Sequence, residues 1–157
     1  MTRKSIKKNK FGMKPDCKYN SMLVSRVINM IMREGKKSAA MKIVYDAMAT
    51  LEKKTQKGAL EVLEKVIEKA RPLVEVKSRR IGGANYQIPI EIDKARSETL
   101  ALRWMIGYAK KRGAHSMADK LSGEMLDILE DKGATIKKKE DTHKMAEANK
   151  AFAHYNW

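Results

Sequence analysis

The stretch from Pro72 to Ile92 carries the one convincing strand signal in a chain whose other apolar periodicity is helical. Two β-rich runs flank Gly82-Gly83, and paired glycines supply the positive φ angles of a tight hairpin turn. Alternation puts Val74 and Val76 on one face, and Tyr86, Ile88 and Ile90 on one face of the return strand. Lys77 and Arg79 point away from the valines, and Arg80 stands at the turn. No acidic residue lies between Val76 and Ile90. A lone two-stranded ribbon is marginal in water, so its base must lean on helices or its arm must lie on a partner. A basic arm with one aromatic suits a phosphate-lined groove. The competing reading is a solvated hairpin whose cations keep a bare edge from pairing.

The rest of the chain reads as helices. From Ser21 an apolar stripe runs Leu23, Val24, Val27, Ile28, Ile31 and stops at Gly35, a residue suited to the C′ position. Lys36 and Lys37 form a short loop, and Ser38 is placed to cap a second helix with Ala40, Val44, Ala47 and Leu51 inward. Gly-Lys-Lys-Ser at 35–38 is not a phosphate-binding loop, because Met30 stands where the earlier glycine belongs and no strand precedes it. A third helix carries Leu60, Leu63 and Ile67 and ends before Pro72. A fourth starts at Asp93 or Ser97 and reaches about Arg112. Arg96, Arg103 and Lys110 lie on a separate face of it. Lys110, Lys111 and Arg112 also suit the helix dipole, so Arg96 and Arg103 are the sharper sign of a phosphate-facing row. A fifth helix, capped by Ser116, is acidic and is expected to face solvent or a basic protein neighbour. The last segment, 134–157, opens with Lys137, Lys138 and Lys139, continues as an Ala-rich helix and ends in aromatics. It reads either as an RNA or protein contact or as a frayed end.

Charge names the partner class. Thirty-four Lys and Arg against 19 Asp and Glu leave a formal charge of +15 over 157 residues. A field of that sign draws polyanions, so nucleic acid is the default partner. No apolar run approaches the ~20 residues of a membrane-spanning helix, and the basic N-terminus lacks the apolar core of a secretory signal. Residues 1–20 hold seven cations and one acid, Asp16, and read as an arm ordered by RNA. The single cysteine, Cys17, excludes an internal disulfide and a cysteine-built zinc site, and fits a reducing cytosol. The 11 methionines are read as gap-fillers in helical packing. His115, His143 and His154 have no metal-ligand spacing, and no nucleophile–base arrangement is legible. No enzyme, cofactor or metal is expected.

These strings also resemble a known family. Residues 72–92, Leu-Ala-Leu-Arg-Trp at 100–104, and Met-Ala-Glu-Ala-Asn-Lys-Ala-Phe-Ala-His-Tyr at 145–155 are similar to the bacterial form of the small-subunit ribosomal protein seven family. Gly-Lys-Lys-Ser at 35–38 and Val44-Tyr45 agree with it. The likeness runs in order along nearly the whole chain. It departs at Arg71, where asparagine is common, at Asn85, where threonine is common, and in stopping at Trp157 without the tail some members carry. The resemblance implies a mainly α fold, a six-helix bundle with a protruding two-stranded β-hairpin arm (73–92) and a basic N-terminal extension, in one RNA-binding domain. It implies a primary binder of 16S rRNA that nucleates the head of the small subunit on the 3′ major domain. Such a protein sits at the subunit interface near the decoding centre, with its hairpin close to exit-site tRNA and ribosomal proteins nine and eleven beside it. It is cytoplasmic, ribosome-bound and not a homo-oligomer.

The residues expected to meet rRNA are Arg3, Lys4, Lys7, Lys8 and Lys10 in the arm, Lys36 and Lys37, and Arg96, Arg103, Lys110, Lys111 and Arg112. Lys77, Arg79, Arg80 and Tyr86 are the hairpin's contacts with RNA or tRNA, and Lys137, Lys138 and Lys139 the C-terminal ones. A DNA-bending architectural protein is the rival, since it too joins a helical body to a basic β-arm. A helical protein-interaction scaffold with incidental charge is the second.

Overall fold

The computed structural model describes residues 14–155. Arg3, Lys4, Lys7, Lys8 and Lys10 therefore lie outside the described residues. The order is α1 (Met22–Ile31), α2 (Lys37–Thr55), α3 (Ala59–Ala70), β1 (Val74–Ile81), β2 (Ala84–Glu91), α4 (Lys94–Lys111), α5 (Met117–Leu129), α6 (Gly133–Ala148) and a 3₁₀ helix (Lys150–Tyr155). Among the described residues, six α-helices and one antiparallel hairpin match the expected mainly α class.

The apolar stripes meet in one core. Val24, Val27 and Ile28 of α1 join Val44, Met48 and Leu51 of α2, Leu63 and Val66 of α3, Leu102 and Met105 of α4, and Leu121, Met125 and Ile128 of α5. Met48, Met105 and Met125 are fully buried, which is where unbranched thioethers fill irregular gaps. α5 packs against α2, α3, α4 and α6, so it is the central post.

Local signals explain three helix ends: the starts of α4 and α5 and the end of α3. Asp93 accepts the Arg96 amide at 2.9 Å and caps α4, while Ser97, the other expected start, is buried with its hydroxyl donating to the Pro72 carbonyl. Ser116 accepts the Asp119 amide at 3.1 Å and starts α5. Arg71 adopts extended backbone (φ −67°, ψ 131°) before Pro72, ending α3 as expected. Two expectations fail in the first connection. α1 stops at Ile31, and Gly35, with φ +71° next to Glu34 at +53°, serves the turn into α2. Ser38 does not cap: α2 begins one residue earlier, at Lys37, and Lys36 holds the cap position without a side-chain bond.

Gly82 and Gly83 have φ of +57° and +90° and join Ile81 directly to Ala84 across the strands, a two-residue turn of the mirror-image kind that matches strand twist. The register pairs Lys77 with Ile88 and Arg79 with Tyr86. Cross-strand partners share a face, so those cations lie on the same side as Tyr86 and Ile88. Only Ile88 of the hairpin is fully buried. The base is tied down: the Leu73 amide donates to His143 Nε2 of α6 at 3.1 Å, and the Ile92 amide to the Leu73 carbonyl at 3.3 Å.

The C-terminal helix is not continuous. α6 ends at Ala148, and Asn149 turns the chain, its side-chain amide donating to the Met145 carbonyl at 2.8 Å. The 3₁₀ helix that follows lays Phe152 and Tyr155 against Tyr86, with ring centroids 5.2 and 5.7 Å away.

Candidate nucleic-acid interface

The root of the N-terminal arm is clasped to the body by its one acid. Asp16 is buried, accepts the amides of Lys18 and Tyr19 at 3.0 and 3.1 Å, and receives the Tyr45 hydroxyl at 2.6 Å. Burial alone would raise the Asp16 carboxyl pKa. The bonds from Tyr45 and the backbone outweigh it and hold the value below the ordinary range. Burial first, and the bond to Asp16 second, push Tyr45 up to about 12. Lys18 lies over the Tyr19 and Tyr45 rings at 5.3 and 5.1 Å. Residues 14–20, expected as part of an arm ordered by RNA, are thus partly fixed by the protein's own body.

The turn between α1 and α2 and the far end of α4 come together. Lys36 and Lys110 line one hollow with Arg33, and Lys110 lines a second with Arg103. Lys37, Arg103, Lys110 and Lys111 are exposed. α2 has no acid in its first turn and no side-chain cap, so its free amides and dipole add to Lys36 and Lys37 as an attraction for anions. Lys36 pairs with Glu34 at 2.7 Å, but both side chains are about 70% or more exposed, and such a pair holds weakly. Arg33 escaped the sequence reading. Its signal was its place just before Gly35-Lys36-Lys37.

Not every expected cation is available in the same way. Arg112 donates from Nη1 to Glu124 at 3.0 Å and to Asp127, and these carboxylates, Asp127 first, raise its pKa further. Glu124 is 1% exposed and also accepts the amide and hydroxyl of Thr135 at 3.2 and 2.5 Å. The acidic residues of α5, expected to face solvent or a protein neighbour, therefore find much of their partner inside the fold. Lys139 is half-buried and donates to the Lys69 carbonyl at the end of α3 at 2.7 Å, whereas Lys137 is exposed and Lys138 half-buried. Arg96 and Lys77 both reach Glu75, at 3.2 and 3.4 Å, which places them beside the hairpin base. Arg79 and Arg80 stand exposed near the tip. Tyr86 is half-buried in the aromatic contact with Phe152 and Tyr155.

Among the described residues no cluster of His, Cys, Asp and Glu has a metal-holding arrangement, and no helix is long and apolar enough to cross a membrane.

A helical core that presents cations on a turn, a helix face and a projecting ribbon defines a basic polyanion-binding protein. The sequence comparisons narrow that class. The profile of the family "Ribosomal protein S7p/S5e" matches residues 1–150. The small ribosomal subunit protein uS7 of Microcystis aeruginosa is 55% identical over 155 residues, covering 99% of this chain and 98% of that protein. The uS7 proteins of Syntrophomonas wolfei and Desulfosudis oleivorans are 53% and 55% identical over 143 residues, each covering 91% of this chain and 92% of theirs. The chain belongs to the S7p/S5e family of ribosomal proteins, which are structural proteins and not enzymes.

Proposed function

We propose that this chain, a ribosomal-RNA-binding structural protein of the small subunit, is a primary binder of 16S rRNA that nucleates the subunit head on the 3′ major domain. In this reading it works ribosome-bound in the cytoplasm, at the subunit interface near the decoding centre. Its hairpin lies toward exit-site tRNA, with proteins nine and eleven as neighbours. The observation that carries it is the separation of charges. Two acids of α5, Glu124 and Asp127, are paired within the fold by Arg112, while the α1–α2 turn, the outer face of α4 and the hairpin tip present cations outward.

The mechanism follows from a rigid body holding spaced charges. Each phosphate neutralised releases counterions, so affinity falls steeply with salt. RNA's deep, narrow major groove does not admit side chains, so recognition rests on the shape of a folded junction. Cations fixed on α2, α4 and the hairpin hold two RNA helices at one mutual angle, and that fixed angle is the nucleus on which later proteins assemble. Lys137 and Lys138 extend the contact from α6, and Lys111 from the end of α4.

Filter binding to a transcript of the 16S 3′ major domain tests this, with duplex DNA as competitor. Binding should weaken by at least about a thousandfold between roughly 50 and 200 mM salt, and DNA should compete poorly. Equal competition by DNA would overturn the reading. Arg79→Glu with Arg80→Glu should leave helical content unchanged and weaken contacts on the rRNA or exit-site tRNA side. Unaltered rRNA binding together with unaltered exit-site occupancy would remove the hairpin from the mechanism.

A further inference from the structure

We propose that the groove between the α1–α2 turn and the C-terminal end of α4 holds one RNA nucleotide turned out of its stack. Its base lies on the apolar floor and its phosphates meet the cations of the rim. The proposal rests on the rRNA-binding reading and deepens it.

The groove is a hollow of about 380 Å³, a volume toward the small end of ligand pockets. Ile31, Ala40, Ile43 and Met117 give it an apolar floor, and Arg33, Lys36 and Lys110 stand among its walls. A second hollow of about 420 Å³, lined by Met30, Arg103, Ile106, Gly107 and Lys110, adjoins it through Lys110. Neither lining includes a carboxylate. Among the described residues, the side chains of Arg33, Arg103 and Lys110 make no ion pair or hydrogen bond with protein groups, so their charges are not already spent. An apolar floor under a cationic rim is complementary to a flat aromatic base joined to two phosphates. Bases released from a helix are bound against aromatic, apolar or guanidinium surfaces with backbone cations alongside, and this groove offers the last two of those surfaces.

Gly107 is the independent sign. It lies inside α4, where glycine destabilises a helix relative to alanine. A Cβ built there meets nothing within 4 Å, so packing within the described protein does not require the glycine. Gly107 is exposed and lines the hollow between Arg103 and Lys110. A bare backbone between two cations lets a sugar–phosphate approach more closely than a side chain would. An apolar peptide segment would need carboxylates to match the same rim, whereas RNA brings its phosphates at every residue.

The test uses the full chain and the 16S 3′ major domain transcript. Gly107→Leu should keep or raise the melting temperature and yet bind the transcript on the order of tenfold more weakly, as loss of a stacked base and its phosphate contact does. Chemical probing should show a single unpaired nucleotide, protected by the wild type, regaining reactivity with the variant. A benzophenone side chain at Ala39 should cross-link to that same nucleotide. Three results would overturn the slot while leaving rRNA binding intact: unchanged affinity of Gly107→Leu, a cross-link spread along a duplex, or a cross-link to a neighbouring ribosomal protein in assembled subunits. Failure of the wild-type chain to bind the transcript would instead overturn the rRNA reading itself, and the slot with it.

Discussion

Arg112 and Lys110 stand two residues apart at the end of the same helix, yet the fold uses them in opposite ways. Arg112 turns inward to Glu124 and Asp127 and locks α4 to α5. Lys110 turns outward, with Arg33 and Arg103, over grooves without carboxylate walls. Residue type and helix position are nearly the same, and the difference comes from which element packs alongside. A formal charge of +15 is therefore not a map of a binding surface. Arg112 and Lys139, held by carboxylates or a carbonyl of the fold, are less available to a polyanion than Arg33, Arg103 and Lys110.

The strongest way to break this contrast is to remove Glu124. Its carboxylate is nearly sealed from water and holds Arg112 together with the first turn of α6. Glu124→Ala leaves the Thr135 amide and hydroxyl without an acceptor and Arg112 with Asp127 alone. Losing one member of a buried pair typically costs about 3–5 kcal/mol, and Arg112's partial exposure puts this case near about 3. Thermal unfolding should register it, and rRNA affinity measured well below the lowered midpoint should be unchanged. A large loss of affinity with intact stability would erase the distinction between the inward Arg112 and the outward Arg33, Arg103 and Lys110.

The converse variant is next in size. Arg33→Glu with Lys110→Glu should weaken rRNA binding by on the order of a hundredfold and lower the salt slope by about two. Its stability should stay within about 0.5 kcal/mol of wild type, as exposed substitutions usually do. Denaturant titration beside filter binding checks both halves.

What the sequence let one read divides along the same line. Signals carried by neighbours in the chain were legible: the Gly82-Gly83 turn, the caps Asp93 and Ser116, the break before Pro72, and the apolar stripes that became the core. Signals carried by distant neighbours were not. Arg112 meets carboxylates 12 and 15 residues on, across a turn. Lys139 meets a carbonyl 70 residues back, so nothing local separates it from Lys137. Gly35 was legible as a positive-φ residue but not as the turn it serves, because Met32 already leaves the helix. Tyr86, expected among the hairpin's contacts with RNA or tRNA, also packs on the protein's own C-terminal aromatics. Its contact with Phe152 depends on the break at Asn149, which the Ala-rich pattern conceals.

The hairpin base sharpens the contrast through pH. His143 accepts the Leu73 amide as a neutral imidazole, and burial first, then Lys139, lowers its pKa below the ordinary value of 6.5. Glu91, Glu147 and Lys150 line the same hollow. A group whose folded pKa is depressed contributes its full stability above the unfolded value and loses it as pH falls through the folded one. The tie should therefore be intact at pH 7 and weaken below about 6.5. Hydrogen exchange at the Leu73 amide, corrected for intrinsic rate, should accelerate across that window, and His143→Gln should flatten the dependence. A wild-type profile as flat as the variant's would show that the imidazole does not hold the strand.

The smallest effect lies farther along the ribbon. Tyr86, Phe152 and Tyr155 form one aromatic cluster between β2 and the 3₁₀ helix, and it is the only aromatic cluster on the hairpin among the described residues. Phe152→Leu keeps apolar volume but removes the ring geometry, worth about 0.5–1.5 kcal/mol for such pairs. Global unfolding should barely move, because these rings lie outside the buried core. The hairpin's amides near Tyr86 should instead exchange faster, while those at Leu73 and Ile92 keep their protection. If both sets accelerate together, the ribbon is held as one piece by its aromatic side. If neither does, the base contacts alone set its direction, and Tyr86 is left to a partner.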